Sequence, residues 1–267
     1  MYDLDPHVAE IYDKTETKTE DVALIRRLIG ARQRLRILEP FCGTGRILLP
    51  LAHDGHTVVG LDRAQAMLDR AAAKMGDLPL VARERITVLR ADVLQERWPR
   101  GFDLVILGGN CLYELATPQE QARVIAPAAA ALRRGGHLFV DNDHMEGALD
   151  PSWYEPLERE AVFPSGECAD GTRFHSRLCV TWYDAPRRLI RFRRRTRVTL
   201  PDGKVVDREI VQQKHPVSAR EVAEWLTDEG LVIEGFLGDY EGCPHTDAAP
   251  RAMFWSQRGV DVREPSE

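Results

Sequence analysis

Ile37-Leu38-Glu39-Pro40-Phe41-Cys42-Gly43-Thr44-Gly45-Arg46 is the stretch that decides the fold: an apolar strand ending in a glycine turn that opens a helix. Glycines at such a turn let the backbone approach a ligand closely. The unpaired N–H groups at the helix start suit an anionic group. Upstream, Val22, Ile25, Leu28 and Ile29 recur at helical spacing and Gly30 follows as a stop signal. Downstream, strand and helix alternate. His56 to Leu61 reads as a strand, Ala64 to Met75 as an amphipathic helix, and Ile86 to Leu89 and Phe102 to Leu107 as further strands. Thr117-Pro118-Gln119-Glu120 is a capping box with proline at the first helical position. Its helix is expected to run to Arg133-Arg134 and stop at Gly135-Gly136, before a strand from His137 to Val140. Strands alternating with helices at these short spacings predict an open parallel sheet covered on both faces.

After Asp143 the rhythm breaks. Arg173 to Tyr183, Leu189 to Leu200 and Lys204 to Gln213 read as strands, with Pro186 and Pro201-Asp202-Gly203 as turns, so residues 151–215 predict antiparallel hairpins. Ser218-Ala219-Arg220-Glu221 is a second capping box and opens a helix that closes at Gly230. Leu231 to Leu237 and Ala252 to Gln257 then supply two more strands. The expected organisation is a cover segment over 1–18, a core over 19–150 and 216–258, and a β insertion over 151–215 that acts as a lid or a dimerisation element. The tail from Gly259 is expected to fray.

Composition narrows the class. The chain has 267 residues, 43% hydrophobic and 29% charged, which is ordinary for a globular protein with a real core. No apolar run approaches the ~18 residues that span a bilayer. Five cysteines without a C-x-x-C pair speak against a disulfide framework or a zinc knuckle, so no metal is expected, and a reducing cytoplasm is. A net charge of −6 gives no global reason to expect nucleic acid or anionic lipid.

Two acids follow successive strands beside the glycine turn. Asp62 ends the second strand, where a carboxylate can hold both hydroxyls of an adenosine ribose. Asp92 follows the third, where it can accept from an adenine amino group. A nicotinamide dinucleotide is the rival ligand, but Gly43-Thr44-Gly45-Arg46-Ile47-Leu48 lacks the third glycine of that fingerprint. Glu39 would also sit badly beside a pyrophosphate.

The order of glycine turn, Asp62, Asp92, Phe102-Asp103-Leu104-Val105 and Arg134-Gly135-Gly136-His137-Leu138 resembles a class I S-adenosylmethionine-dependent methyltransferase of the small-molecule type. The likeness covers about residues 19–143 and resumes at 218–258. It implies a doubly wound, seven-stranded, mostly parallel α/β sheet, Rossmann-like, with the antiparallel β insertion added. Phe41 stands where the family usually has its first glycine. The resemblance implies S-adenosylmethionine as cofactor, with Glu39, Gly43, Gly45, Asp62, Met67, Asp92, Val93 and Gly109 lining its site. Tyr2 and Tyr12 lie where small-molecule members often have a cover, and Tyr12 is placed over the sulfonium, since an aromatic face attracts a cation.

The acceptor should lie beyond the carboxyl ends of the strands. His144, just past strand five, is the candidate general base, and Asn110 and Tyr113, after strand four, would position the acceptor. Transfer by alignment alone is the alternative. The expected partner is a small-molecule acceptor methylated at nitrogen or oxygen, together with a second copy of the chain if the insertion dimerises. The arginines at 187, 188, 191, 193, 194, 195 and 197 admit an RNA- or protein-methylating alternative. Strand alternation and nearby Asp184, Asp202, Asp207 and Glu209 favour a solvated sheet face instead. A cofactor-binding regulatory protein without catalysis is the other alternative.

Overall fold

The computed structural model describes residues 6–147 and 149–259; Tyr2 and the tail beyond Gly259 lie outside that range. The helices are α1 (Pro6–Thr15), α2 (Glu20–Ile29), α3 (Leu48–His53), α4 (Gln65–Met75), α5 (Leu80–Arg83), α6 (Pro118–Ala131) and α7 (Ala219–Asp228). Strands β1 (Arg36–Pro40), β2 (Thr57–Asp62), β3 (Ile86–Arg90), β4 (Phe102–Leu107), β5 (Leu132–Asp143), β10 (Leu231–Leu237) and β11 (Arg251–Arg258) form one sheet in the order β10-β11-β5-β4-β1-β2-β3. Only β11 runs against its neighbours. Apolar side chains from α6 and α7 pack on one face, around Phe102, Val105, Leu138 and Val140. Those of α2, α3 and α4 pack on the other, around Ile37, Leu104, Ile106 and Phe139. The strand order reverses between β1 and β4, and a ligand cleft is expected outside the carboxyl ends at such a reversal.

A second sheet has the order β6 (Arg159–Glu167), β7 (Arg173–Asp184), β8 (Leu189–Thr199), β9 (Val205–Lys214), all antiparallel. It is joined to the first by more than its two chain connections. Arg188 donates to the carbonyls of Met145, Gly147 and Pro216. α1 fills the gap between the sheets: Val8 and Ile11 pack with Phe174 and Val198 of the second sheet, while Ala9 packs with Ala64 and Met67 of the first unit.

Three local expectations are corrected. The cover segment contains a ten-residue helix, α1, whose Val8, Ile11 and Tyr12 spacing fits one face. β6 is an added strand, broken by an irregularity between Ala161 and Gly166. α6 ends at Ala131, not at Arg134: Arg258 donates to the carbonyls of Ala129, Ala130 and Leu132 and so caps the helix from β11. Gly135-Gly136 then lies within β5 at a register shift. A Cβ at Gly136 would stand 2.9 Å from the carbonyl oxygens of Arg133 and Phe102, so glycine is required there for close backbone approach.

Candidate cofactor and acceptor site

A cavity of about 380 Å³ lies at the switch between β1 and β4. Its floor is the turn after β1, its sides are the loops after β2, β3 and β4, and Tyr12 of α1 closes it from above. The turn after β1 is held from outside. Gly43 and Gly45 have φ of +53° and +79°, and Phe41 itself takes φ +61°. The turn therefore keeps its left-handed residue at 41 at a cost in backbone strain, on the order of 1 kcal/mol for a non-glycine side chain. Gly43 N–H donates to Asp62 Oδ2 at 2.8 Å and Ala64 N–H to Asp62 Oδ1 at 2.9 Å. These two bonds fix the orientation of the Asp62 carboxylate at the cavity wall. Asp92 is engaged in the same way, accepting from Leu94 N–H and Gln95.

Glu39 is the most informative residue of the cavity. It is 5% exposed, and its Oε2 has no hydrogen-bond partner. Burial pushes its carboxyl well above the usual range; Arg46 opposes that shift, while Asp21 and Asp62 add to it. A buried acceptor with nothing to accept from is costly, about 1–3 kcal/mol, and a cationic ligand group in the cavity would satisfy it. Arg46 is spoken for: its Nη1 and Nη2 form a fork with the buried Asp21 at 2.8 and 2.6 Å. Tyr12 is lifted to about 12 by burial and stays a neutral phenol.

Tyr12, Glu39, Gly43, Asp62, Met67, Asp92, Val93 and Gly109 all line the cavity, as do Asn110 and Tyr113. Gly45 does not. It shapes the turn from behind, where a Cβ would meet Leu49 Cγ at 2.9 Å. His144 does not line it either. β5 continues through Asp143, three residues past Val140, and carries His144 towards β11. There its Nδ1 lies 2.9 Å from Ala249 O and its ring packs edge-on to His245 at 4.5 Å. Asn110 lies at the wall, but its amide is consumed: Nδ2 donates to Asp143 Oδ2 at 3.0 Å, and Oδ1 accepts from Asp143 N–H and Arg251. Arg251 also pairs with Asp141 and Asp143, and Asp141 in turn accepts from Gly109 N–H and Tyr240. This buried network fixes the loop after β4. Tyr113 differs, since its hydroxyl is buried without a partner and burial raises its pKa, so it faces the cavity as a neutral group.

The reading of the sequence missed Glu16, Lys18, Arg63, Cys111 and Glu114 among the lining residues. Glu16 and Lys18 follow α1 and were legible only once α1 was known. Trp153 packs near Tyr113 at 6.4 Å. Trp182 lies on the far side of its sheet under Arg191.

Residues 37–136 match the family model described as Methyltransferase domain. That stretch is similar to a methyltransferase domain, and the solved structures that resemble the whole chain share its fold. The methyltransferase CcbJ from Streptomyces caelestis superimposes over 97% of this chain and 98% of its own, with a TM-score of 0.72 at 17% identity. The sugar N-methyltransferase KedS8 from Streptoalloteichus covers 93% and 90%, with a TM-score of 0.69 at 20% identity. Both likenesses include the second sheet. Among curated proteins, the 23S rRNA (uracil(1939)-C(5))-methyltransferase RlmD of Bordetella pertussis is 30% identical over 112 residues, which is 41% of this chain but only 22% of that protein. No helix among the described residues is long and apolar enough to cross a membrane.

Proposed function

We propose that this chain is an S-adenosylmethionine-dependent methyltransferase acting on a nitrogen or oxygen of a small molecule, held between the cofactor cavity and the roof made by β6–β9. The observation that carries this reading is a cavity of about 380 Å³ walled on one side by Tyr12 of α1, the helix that also packs on the second sheet. When bound, S-adenosylmethionine supplies a methyl group made electrophilic by its positive sulfur. Glu39 would receive the cofactor's ammonium, Asp62 its ribose hydroxyls and Asp92 its adenine, with Met67 and Val93 as walls and Gly43 and Gly109 giving close backbone approach. Tyr12 would exclude water above the sulfonium.

Tyr113 would donate its free hydroxyl to the acceptor and orient it. His144 lies elsewhere and Asn110 is bound to Asp143, so the chemistry rests on alignment, with the acceptor's proton leaving to solvent. Full-length likeness to a sugar N-methyltransferase supports the small-molecule reading. The RNA alternative is less favoured because the likeness to RlmD is confined to a stretch of 112 residues. The outer arginines are moreover paired with carboxylates: Arg197 with Asp207 at 2.8 Å and Arg195 with Glu209 at 2.9 Å.

The test offers the full chain methyl-labelled S-adenosylmethionine with three separate acceptor pools: small amines and alcohols including aminosugars, total RNA, and unfolded protein. Label in the first pool alone is expected. Label in RNA or protein would overturn the assignment.

A further inference from the structure

Five carboxylates line the cavity, and four of them have other work. Asp62 and Asp92 accept from the N–H groups of their own loops. Glu39 lies buried at the end of β1, where the cofactor's ammonium is proposed, and Glu114 stands 3.5 Å from Lys214 Nζ. Glu16 is the fifth. Its N–H donates to the Tyr12 carbonyl at 2.8 Å, which continues the last turn of α1 and sets its side chain on the Tyr12 side of the helix. The Glu16 carboxylate is half-buried at the cavity wall and forms no hydrogen bond or ion pair with any described residue. A carboxylate that has lost part of its hydration without gaining a protein partner favours an N–H donor or a positive charge beside it.

The cavity is also poor in bases. Among the described residues no histidine lines it. Burial keeps the Tyr12 and Tyr113 phenols neutral and pushes the Cys42 and Cys111 thiols up. Lys18 sets its ammonium over the Tyr240 ring at 5.9 Å. An ordinary carboxylate is too weak a base to strip an alcohol. An amine differs, because its free base carries a lone pair and attacks before any proton is lost. Methyl transfer to nitrogen moves positive charge from sulfur to nitrogen, and a carboxylate fixed beside the nitrogen stabilises that charge as it develops.

We propose that the acceptor is an amine, methylated at nitrogen, and that Glu16 accepts a hydrogen bond from that nitrogen. This rests on the small-molecule methyltransferase reading and adds to it the atom that takes the methyl group. The nitrogen lone pair forms the bond to the methyl carbon, and the electron pair of the breaking carbon–sulfur bond returns to sulfur. The methylated ammonium then passes one proton to water. Glu16 distinguishes nitrogen from oxygen through the charge it faces.

The experiment uses the full chain. S-adenosylhomocysteine is titrated first by calorimetry, and absence of binding there overturns the methyltransferase reading itself. Methyl-labelled S-adenosylmethionine is then supplied with two matched sets of compounds: aminosugars and alkylamines, and the parent sugars and alkanols. Label is expected in the first set alone, on nitrogen by mass spectrometry. Glu16→Gln should lower turnover of the labelled amine ~10–100-fold, the loss of one hydrogen bond to a charged group. Its S-adenosylhomocysteine affinity and melting temperature should hold, since the carboxylate it replaces has no protein partner to lose. Glu16→Asp keeps the charge one methylene further back and should recover part of the turnover. A merely structural role would lower the melting temperature of both variants alike and give no recovery. The proposal is overturned by label in the second set, by label in neither set from protein that binds S-adenosylhomocysteine, by wild-type turnover in Glu16→Gln, or by a matching loss of S-adenosylhomocysteine affinity in that variant.

Discussion

Glu39→Gln separates stability from binding. In the ligand-free protein the Glu39 carboxyl is buried at 5% exposure, has one oxygen without a partner, and holds its proton above the usual value of 4.5. The folded state therefore binds more protons at this site than the unfolded state does. The stability contributed by the protonated carboxyl is full below pH 4.5 and is lost as pH rises through the raised folded value. Glutamine has the same shape and does not titrate. Removing a buried carboxylate with an idle acceptor relieves about 1–3 kcal/mol, offset in part by the new amide's unmatched donors. At neutral pH the ligand-free variant should thus melt no lower than wild type, and the comparison should shift towards the variant as pH rises.

Cofactor binding should move the other way. An ammonium–carboxylate hydrogen bond is worth about 1.5–3 kcal/mol, so S-adenosylhomocysteine should bind roughly 10–100-fold more weakly. Ionising Glu39 on binding also releases a proton. Calorimetry in phosphate and in Tris, buffers of unlike ionisation heat, should show that release in wild type and its loss in the variant. Unchanged affinity with identical buffer dependence, or a variant that melts well below wild type, would refute the reasoning.

Asp13 on α1 accepts from Arg70 at 2.7 Å and Lys74 at 2.9 Å and also binds Thr44 of the glycine turn. With partners about one-third exposed, Asp13→Asn should cost about 1–2 kcal/mol in urea unfolding and loosen the cover, weakening cofactor. Burial raises this carboxyl, but the bonds from Thr44, Lys74 and Arg70 outweigh it and hold it below 3.8. Its contribution is present above that value and fades as pH falls through the folded one, so variant and wild type should converge in acid. Gly60→Ala would set a methyl 2.6 Å from Cys42 Sγ and 2.8 Å from Leu48 Cδ1 behind the turn, at a cost of about 1–3 kcal/mol in thermal melts; Cys42→Ala in the same chain should recover part of it. Arg251→Gln strands the fully buried Asp141, and urea unfolding should show a loss of about 3–5 kcal/mol.

The β1–β5 half was legible because each strand ends in a residue with one job: the glycine turn after Pro40, Asp62, Asp92, and Gly108-Gly109. The second sheet was legible as hairpins but not in full. Arg159–Glu167 contains Pro164 and Gly166 and an irregular register, so its alternation is broken where an edge strand tolerates breakage. The placing of Arg194 was hidden by its neighbours, since Arg193-Arg194-Arg195 looks alike on both faces and only the register tells which arginine turns inward. His144 was misplaced for a geometric reason. Three further residues of β5, Asp141-Asn142-Asp143, pair with β11 through Arg251 and carry the chain past the cavity before it turns. No local pattern marks how far an antiparallel partner prolongs a strand.

α1 touches the cofactor cavity with Tyr12, the roof with Val8 and Ile11, and the glycine turn with Asp13. A helix fastened on three sides cannot swing off one chamber while staying seated on the other. Tyr12 over the cavity and Asp13 at the glycine turn therefore depend on the same seat, so a change in the packing of Val8 and Ile11 on the second sheet reaches both.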